Sequence, residues 1–417
     1  MPSVPMKLRL SFALLALAAT ARVFAAESVD DPLAPWRHDV KIGPVSTVEG
    51  RHTMHSYFNT CPESPDGKYV LFFASKARDG HQGEVCIRDR KTGEEKVVAT
   101  NINAEDAHRV ACQQWVSGGK RVVFHGQRDG DWFVGCVDLD TMKERVLARN
   151  QLSGWGQPNA DVVPLYSPHW HPGDHPDLDI INVVTGEKKT VCTVDALKEA
   201  YPDWFAKTFG DKKPSIFFPI LSPDLQRVFF KMALATGEDP RSKEASARQG
   251  LICYSLAEKR FLYMNPNWGH PSWQPDSRHI TEVHFVVYDS NTGKMTSNPG
   301  FPNKEARAAA EAGDASALTK YPVHDVSGDH PSVSPDGKIV VTDTVMSKFG
   351  GKSTDWGVVL TDPKGSGQII IDTFDNSHRA ESWRRSHPHP VFSPDGKRIY
   401  FNVSDGEFTR LFVAEIQ

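Results

Sequence analysis

Short apolar runs alternate with polar turns along the whole chain, and each run has the length and the β-branched or aromatic content of a strand. Tyr69-Val70-Leu71-Phe72-Phe73 and Arg398-Ile399-Tyr400-Phe401 are two of them, each just after a Pro-Asp-Gly turn. The unit of strand, Pro-Asp or Gly-Gly turn and second strand returns seven times, at intervals of roughly 50 to 60 residues. Its turns are read at Pro65-Asp66, Gly118-Gly119, Pro172-Gly173, Pro223-Asp224, Pro275-Asp276, Pro335-Asp336 and Pro394-Asp395. A third strand, a turn such as Lys91-Thr92-Gly93 or Val184-Thr185-Gly186 and an outer strand complete each unit.

A four-stranded unit repeated at this period predicts an all-β fold, a seven-bladed β-propeller. The last unit supplies only three strands, so the segment 40–48 is expected to add the fourth and close the ring, removing an exposed edge. Two insertions, 194–209 and 303–321, read as helices decorating the blades. No linker or break in composition divides residues 26–417, and one domain is expected.

A propeller brings the innermost strand of each blade to a common axis, so equivalent repeat positions become neighbours. Four residues before the residue that precedes each Pro-Asp or Pro-Gly turn, and five before it at Gly118-Gly119, these positions hold Thr60, Cys112, Ser167, Phe218, His270, His330 and His389, with His387 two residues earlier in the last blade. Alternation along a strand would point His387 and His389 the same way, towards His330 on the next strand. Convergent imidazoles suit zinc, manganese, iron or nickel. A single His-Pro is explained by an extended dipeptide whose ring bonds a carbonyl; recurrence at matched positions favours a shared metal or catalytic site.

A second polar group belongs to blades two to four. Glu105-Asp106-Ala107-His108-Arg109 leads into the second inner strand, His125 ends its partner, and Lys231 ends the matching strand after Arg227-Val228-Phe229-Phe230. Between them runs Tyr166-Ser167-Pro168-His169-Trp170-His171-Pro172-Gly173-Asp174-His175. His108, His125, Tyr166 and Lys231 are expected at the same mouth as the first cluster. Each alone is equally compatible with a capped turn, a half-buried strand end or a solvated amine, and Tyr166 with packing between blades.

Taken together these groups fit β-elimination on a uronic acid. That reaction must neutralise a carboxylate, remove the proton beside it and protonate the leaving oxygen; a metal or an Arg/Lys serves the first step, His or Tyr the others. Hydrolysis by paired carboxylates has no acidic pair at matched inner positions, and the Gly-x-Ser-x-Gly elbow of a serine hydrolase is missing. Trp115, Trp132, Trp155, Trp170, Trp268 and Trp273 are expected between blades, with one near the mouth available to stack on a sugar.

Charge and compartment narrow the partners. Lys7 and Arg9 before the apolar run 10–19, then Val23-Phe24-Ala25, read as a signal peptide cleaved near Ala25, which predicts a periplasmic or secreted protein. Its loss takes the formal charge from −4 to −7, a poor match for nucleic acid. No later segment is long and apolar enough to span a bilayer, and a monomer is expected. Of six cysteines, Cys86, Cys136, Cys192 and Cys253 share a third-strand position that suggests packing, whereas Cys61 and Cys112 are placed to pair.

The run His387-Pro388-His389-Pro390-Val391-Phe392-Ser393-Pro394-Asp395-Gly396, with His330 before Ser334-Pro335-Asp336-Gly337, resembles the metal-binding blades of oligogalacturonate lyases, seven-bladed propellers that hold manganese. The resemblance implies His330, His387 and His389 as ligands of a divalent metal ion, manganese or zinc, and His270 as an added ligand or the base. That family completes the sphere with a glutamine where this chain has Arg384. The groups of blades two and three are similar to those of ulvan lyases, which implies that His108 and His125 position the acid and Tyr166 acts as base and acid, with Arg109 or Arg227 as the arginine; His171 and Arg384 are further candidate contacts. The expectation is an exported lyase acting on an acidic polysaccharide or oligosaccharide. The alternatives are a non-enzymatic TolB-like propeller that binds a protein or envelope ligand, since Ser-Pro-Asp-Gly repeats occur there too, and a metal-dependent hydrolase or epimerase.

Overall fold

In the computed structural model, the described residues are 31–417 apart from 107, 243–244, most of 298–327, 364–366, 378–386 and 405. The leader, Arg384 and most of the expected helix at 303–321 lie outside them.

The chain forms a seven-bladed propeller of four-stranded antiparallel sheets. Blades seven, one and two are hydrogen-bonded into one continuous path through single pairs such as Thr53 with Arg410 and Asn103 with Gln127. Ring closure follows the sequence expectation: Val40–Pro44 lies antiparallel on Arg410–Ile416 as the outermost strand of blade seven. The terminal strand that would otherwise show unpaired backbone groups is thereby covered.

The Ser-Pro-Asp-Gly turns are built by their own side chains. Ser64 donates to Asp66 at 2.6 Å and accepts the Tyr69 amide at 2.9 Å; Ser393 does the same with Asp395 and Arg398 at 2.7 and 3.0 Å. Gly67 and Gly396 take φ of 72°, which a side chain would oppose. Blade three departs from the reading. Its inner strand is Leu152–Ser153, paired with Val162–Tyr166, so its turn lies at 157–160 and not at Pro172-Gly173. Gln-Pro-Asn-Ala replaces the usual turn there, and the His-Pro-Gly downstream only imitates it. Ser167 therefore leaves the inner-strand series, and Tyr166 ends a second strand.

Apolar clusters fill each junction between blades, for example Leu71, Phe73, Trp115 and Phe124 between the first and second. A further cluster occupies the axis itself. Tyr57, Phe58, Trp155, Phe218 and Trp273, from four different blades, pack there, with Tyr57 stacked on Trp155 at 6.2 Å. The centre is thus floored by aromatics, and the polar groups sit on that floor. The insertion after blade three forms two helices, Val194–Ala200 and Pro202–Phe209, because Pro202 starts a new helix at Tyr201.

All six cysteines are free thiols, which corrects the Cys61–Cys112 pairing: Cys112 belongs to the axial cluster and Cys61 packs between blades seven and one. No described helix is long and apolar enough to cross a membrane.

Candidate metal centre

His108, His330, His387 and His389 converge, with one potential ligand nitrogen from each lying within 4.8 Å of the others. The sequence groups His108 with the substrate-positioning residues of blades two to four; the structure joins it to the three histidines of blades six and seven. The reason is local. Asp106 Oδ1 accepts the amides of His108 and Arg109, both at 2.9 Å, and this capped turn presents His108 inwards while Arg109 turns the other way. Its ring centroid lies 4.4 Å from that of His389 and 4.9 Å from that of His387.

Strand alternation is not what aligns His387 and His389. Both precede the strand Val391–Phe392, and His389 takes φ of 47° although a proline follows it, a conformation proline disfavours. Its backbone is gripped from both sides: the amide donates to Asp343 Oδ2 at 3.0 Å and the carbonyl meets His55 Nε2 at 2.6 Å. Asn402 braces the same stretch by accepting the His55 amide and donating its own amide to the Pro388 carbonyl. Cys112 and Phe218, at equivalent repeat positions, share the left-handed kink with φ of 46° and 57°.

Asp343 also accepts from His330 Nδ1 at 2.9 Å, which leaves Nε2 with its lone pair towards the cluster. Tyr57 closes the floor, its ring 4.6 Å from His389, 5.6 Å from His108 and 5.9 Å from His330. Trp356 stacks on His387 at 4.7 Å. Burial, and then the neighbouring imidazoles, hold His389 well below the usual histidine range, so the ring is neutral. Neither of its buried nitrogens has a hydrogen-bond partner among the described residues. Convergent imidazoles backed by a carboxylate, with His389 neutral and its nitrogens open to a ligand, fit a divalent transition ion.

His270 stands beside the cluster, its ring 4.7 Å from His330 and 5.2 Å from Trp268. Burial, then His330 and Lys231, depress its pKa strongly. Lys231 Nζ lies 4.9 Å from the Trp268 ring, and burial draws it down to about 7 against the opposing charge of Glu282, whose own carboxyl burial raises. Trp268 is 43% exposed and marks the open side of the mouth.

The other candidates are placed differently. His125, Arg109 and Glu105 form a closed, buried network: Arg109 pairs with Glu105, His169 Nε2 meets Glu105 Oε1 at 2.8 Å, and His125 Nε2 lies 3.9 Å from Oε2. Burial pushes the Glu105 carboxyl up, but Arg109 and His169 outweigh it and keep it ionised. Arg109 is thereby neutralised by its own neighbour. Tyr166 is fully buried against Phe217 and its phenol is raised far above its usual value by burial, which removes the ready base that the sequence suggested. Arg227 sits at the turn end of blade four, bonded to Asp224, Asn291 and the Ser277 carbonyl, away from the mouth. His171 is exposed on the surface, in none of these clusters. Sequence reasoning overlooked Asp343, His55 and Glu282, which neither a repeat position nor a motif marks. It named Glu105 and His169 only as parts of longer runs.

No family model and no curated protein matches the chain. Solved structures do. An oligogalacturonate lyase from Vibrio parahaemolyticus superposes with a TM-score of 0.55 at 16% identity, covering 91% of this chain and 94% of that one. An oligogalacturonate lyase in complex with manganese gives 0.54 at 16% identity over 90% and 93%. The β-propeller domain of Cps50 (Swd1) from Myceliophteria thermophila gives 0.50 at 11% identity over 90% and 100%. At these identities the likeness establishes the propeller fold.

Proposed function

We propose that the chain is a metal-dependent polysaccharide lyase that cleaves a uronic acid polymer or oligomer by β-elimination. The observation that carries the reading is the four-histidine cluster with His270 set directly beside it. His108, His330, His387 and His389 would hold the ion, and a bound divalent cation supplies neutralisation of the uronate carboxylate, which acidifies the adjacent C–H. His270, kept neutral by burial and by nearby cations, is the base that takes this proton. Lys231 carries a proton that neutral pH can release and returns it to the departing glycosidic oxygen. Trp268 offers an exposed ring on which the sugar stacks. The lyase structures that share the fold support the class, and the leader-like first 25 residues support export to a periplasm or medium.

The test is direct. Metal-loaded protein is incubated with pectic, ulvan-type and other uronates, and formation of an unsaturated product is followed in the near ultraviolet. Product from at least one substrate, lost in His270→Gln with metal still bound, supports the proposal. Metal binding with no product from any uronate favours the non-enzymatic binding reading.

A further inference from the structure

Resting on the metal reading above, we infer that His108 is a metal ligand and that the resulting all-imidazole set makes this a zinc centre selective against manganese. The donors that the fold brings within 4.8 Å of one another are four histidine nitrogens, and no carboxylate joins that group among the described residues. Asp343, which hydrogen-bonds two of these histidines, is already committed to His330 Nδ1 and the His389 amide, so it orients ligands rather than serving as one. Imidazole favours zinc, whereas manganese is better served by carboxylate, carbonyl and water oxygens. Four nitrogens each about 2 Å from one tetrahedral ion lie about 3.3 Å apart, so binding would draw inwards side chains that the fold already brings within 4.8 Å.

His108 comes from the turn before blade two, and its partners come from blades six and seven. It owes its position to the Asp106 cap and to Arg109, which is locked to Glu105 behind it. An ion bound here ties the first part of the chain to the last, across the axis. Binding should therefore stabilise the whole ring against unfolding as well as fill the site.

The experiment uses the full mature chain, stripped of metal and titrated separately with zinc and manganese, with affinity read by calorimetry and stability by the melting temperature. One equivalent of zinc is expected, binding far more tightly than manganese and raising the melting temperature. In His108→Gln, which exchanges an imidazole for a carbonyl oxygen, zinc affinity should fall by about 10- to 100-fold or more, at least the loss a supporting residue causes. Manganese affinity should fall less, so that the ratio narrows. X-ray absorption on zinc-loaded wild type, counting four imidazole shells, covers the case in which the variant folds poorly. Three shells, or unchanged zinc affinity in His108→Gln, would overturn the role of His108 while leaving a three-histidine site intact. Manganese bound as tightly as zinc would overturn the selectivity. No ion bound at all would overturn the metal reading together with this inference.

Discussion

The carboxylate of Asp343 holds His330 by its side chain and, through its other oxygen, fixes the backbone of His389, so one buried acid on blade six sets two histidines from adjacent blades. Asp343 itself is wholly buried and, although burial favours its protonation, His330 and its hydrogen bond keep it ionised below the usual range. Asp343→Asn keeps the shape and loses the charge. Zinc affinity is expected to fall about 10- to 100-fold with the fold retained, measured by titration and circular dichroism; unchanged affinity would mean that Asp343 does not support the site.

Acid should weaken the metal-free fold over a defined window. Burial lowers His55, His125 and His169 from 6.5 to about 4. Above pH 6.5 these rings are neutral in both states; between 6.5 and 4 the unfolded chain takes up protons that the folded chain refuses. Stability is thus complete above pH 6.5 and declines as pH falls towards 4, by about 3 kcal/mol per ring at the bottom of the window. Urea unfolding at pH 7.5, 5.5 and 4.5 checks this, and a flat profile would contradict it.

Ring closure depends on a second buried acid. Glu63 of blade one accepts both Nε and Nη2 of Arg398 from blade seven at 2.8 and 2.9 Å, together with the Tyr400 hydroxyl. Arg398→Met leaves Glu63 buried beside Arg90 at 3.6 Å and is expected to cost about 3 to 5 kcal/mol in denaturant unfolding. Zinc affinity should not change, since the residue lies at the turn end of its strand. A loss under 1 kcal/mol would argue that the staple is dispensable.

Deleting the residues up to Pro44 removes the outermost strand of blade seven and uncovers Arg410–Ile416. Self-association and a lower melting temperature are expected, read by light scattering and calorimetry. A monomer melting with the full mature chain would count against this closure.

For the chemistry, His270→Gln should lower turnover by about 10²- to 10⁴-fold, as for loss of a general base, while zinc affinity holds. On the proposed reading the exposed Trp268 ring stacks on the sugar, so Trp268→Ala should raise KM, whereas His270→Gln should leave KM unchanged. Steady-state kinetics on the best uronate separates the two; equal effects on KM in both variants would refute the division of roles.

The apolar runs and their turns determined seven blades and the closing strand by themselves, because both follow from local rules: strand alternation and the Ser-Pro-Asp-Gly hydrogen bonds. The repeat also marked His270, His330 and His389, since equivalent positions must meet at the axis. Where a turn lost its signature, as at 157–160, the register of blade three could not be read. Tertiary structure alone decided that His108 joins the cluster and that Tyr166 is sealed in the core. Those outcomes depend on which way one capped turn faces and on contacts between residues tens to hundreds of positions apart. No local pattern encodes them.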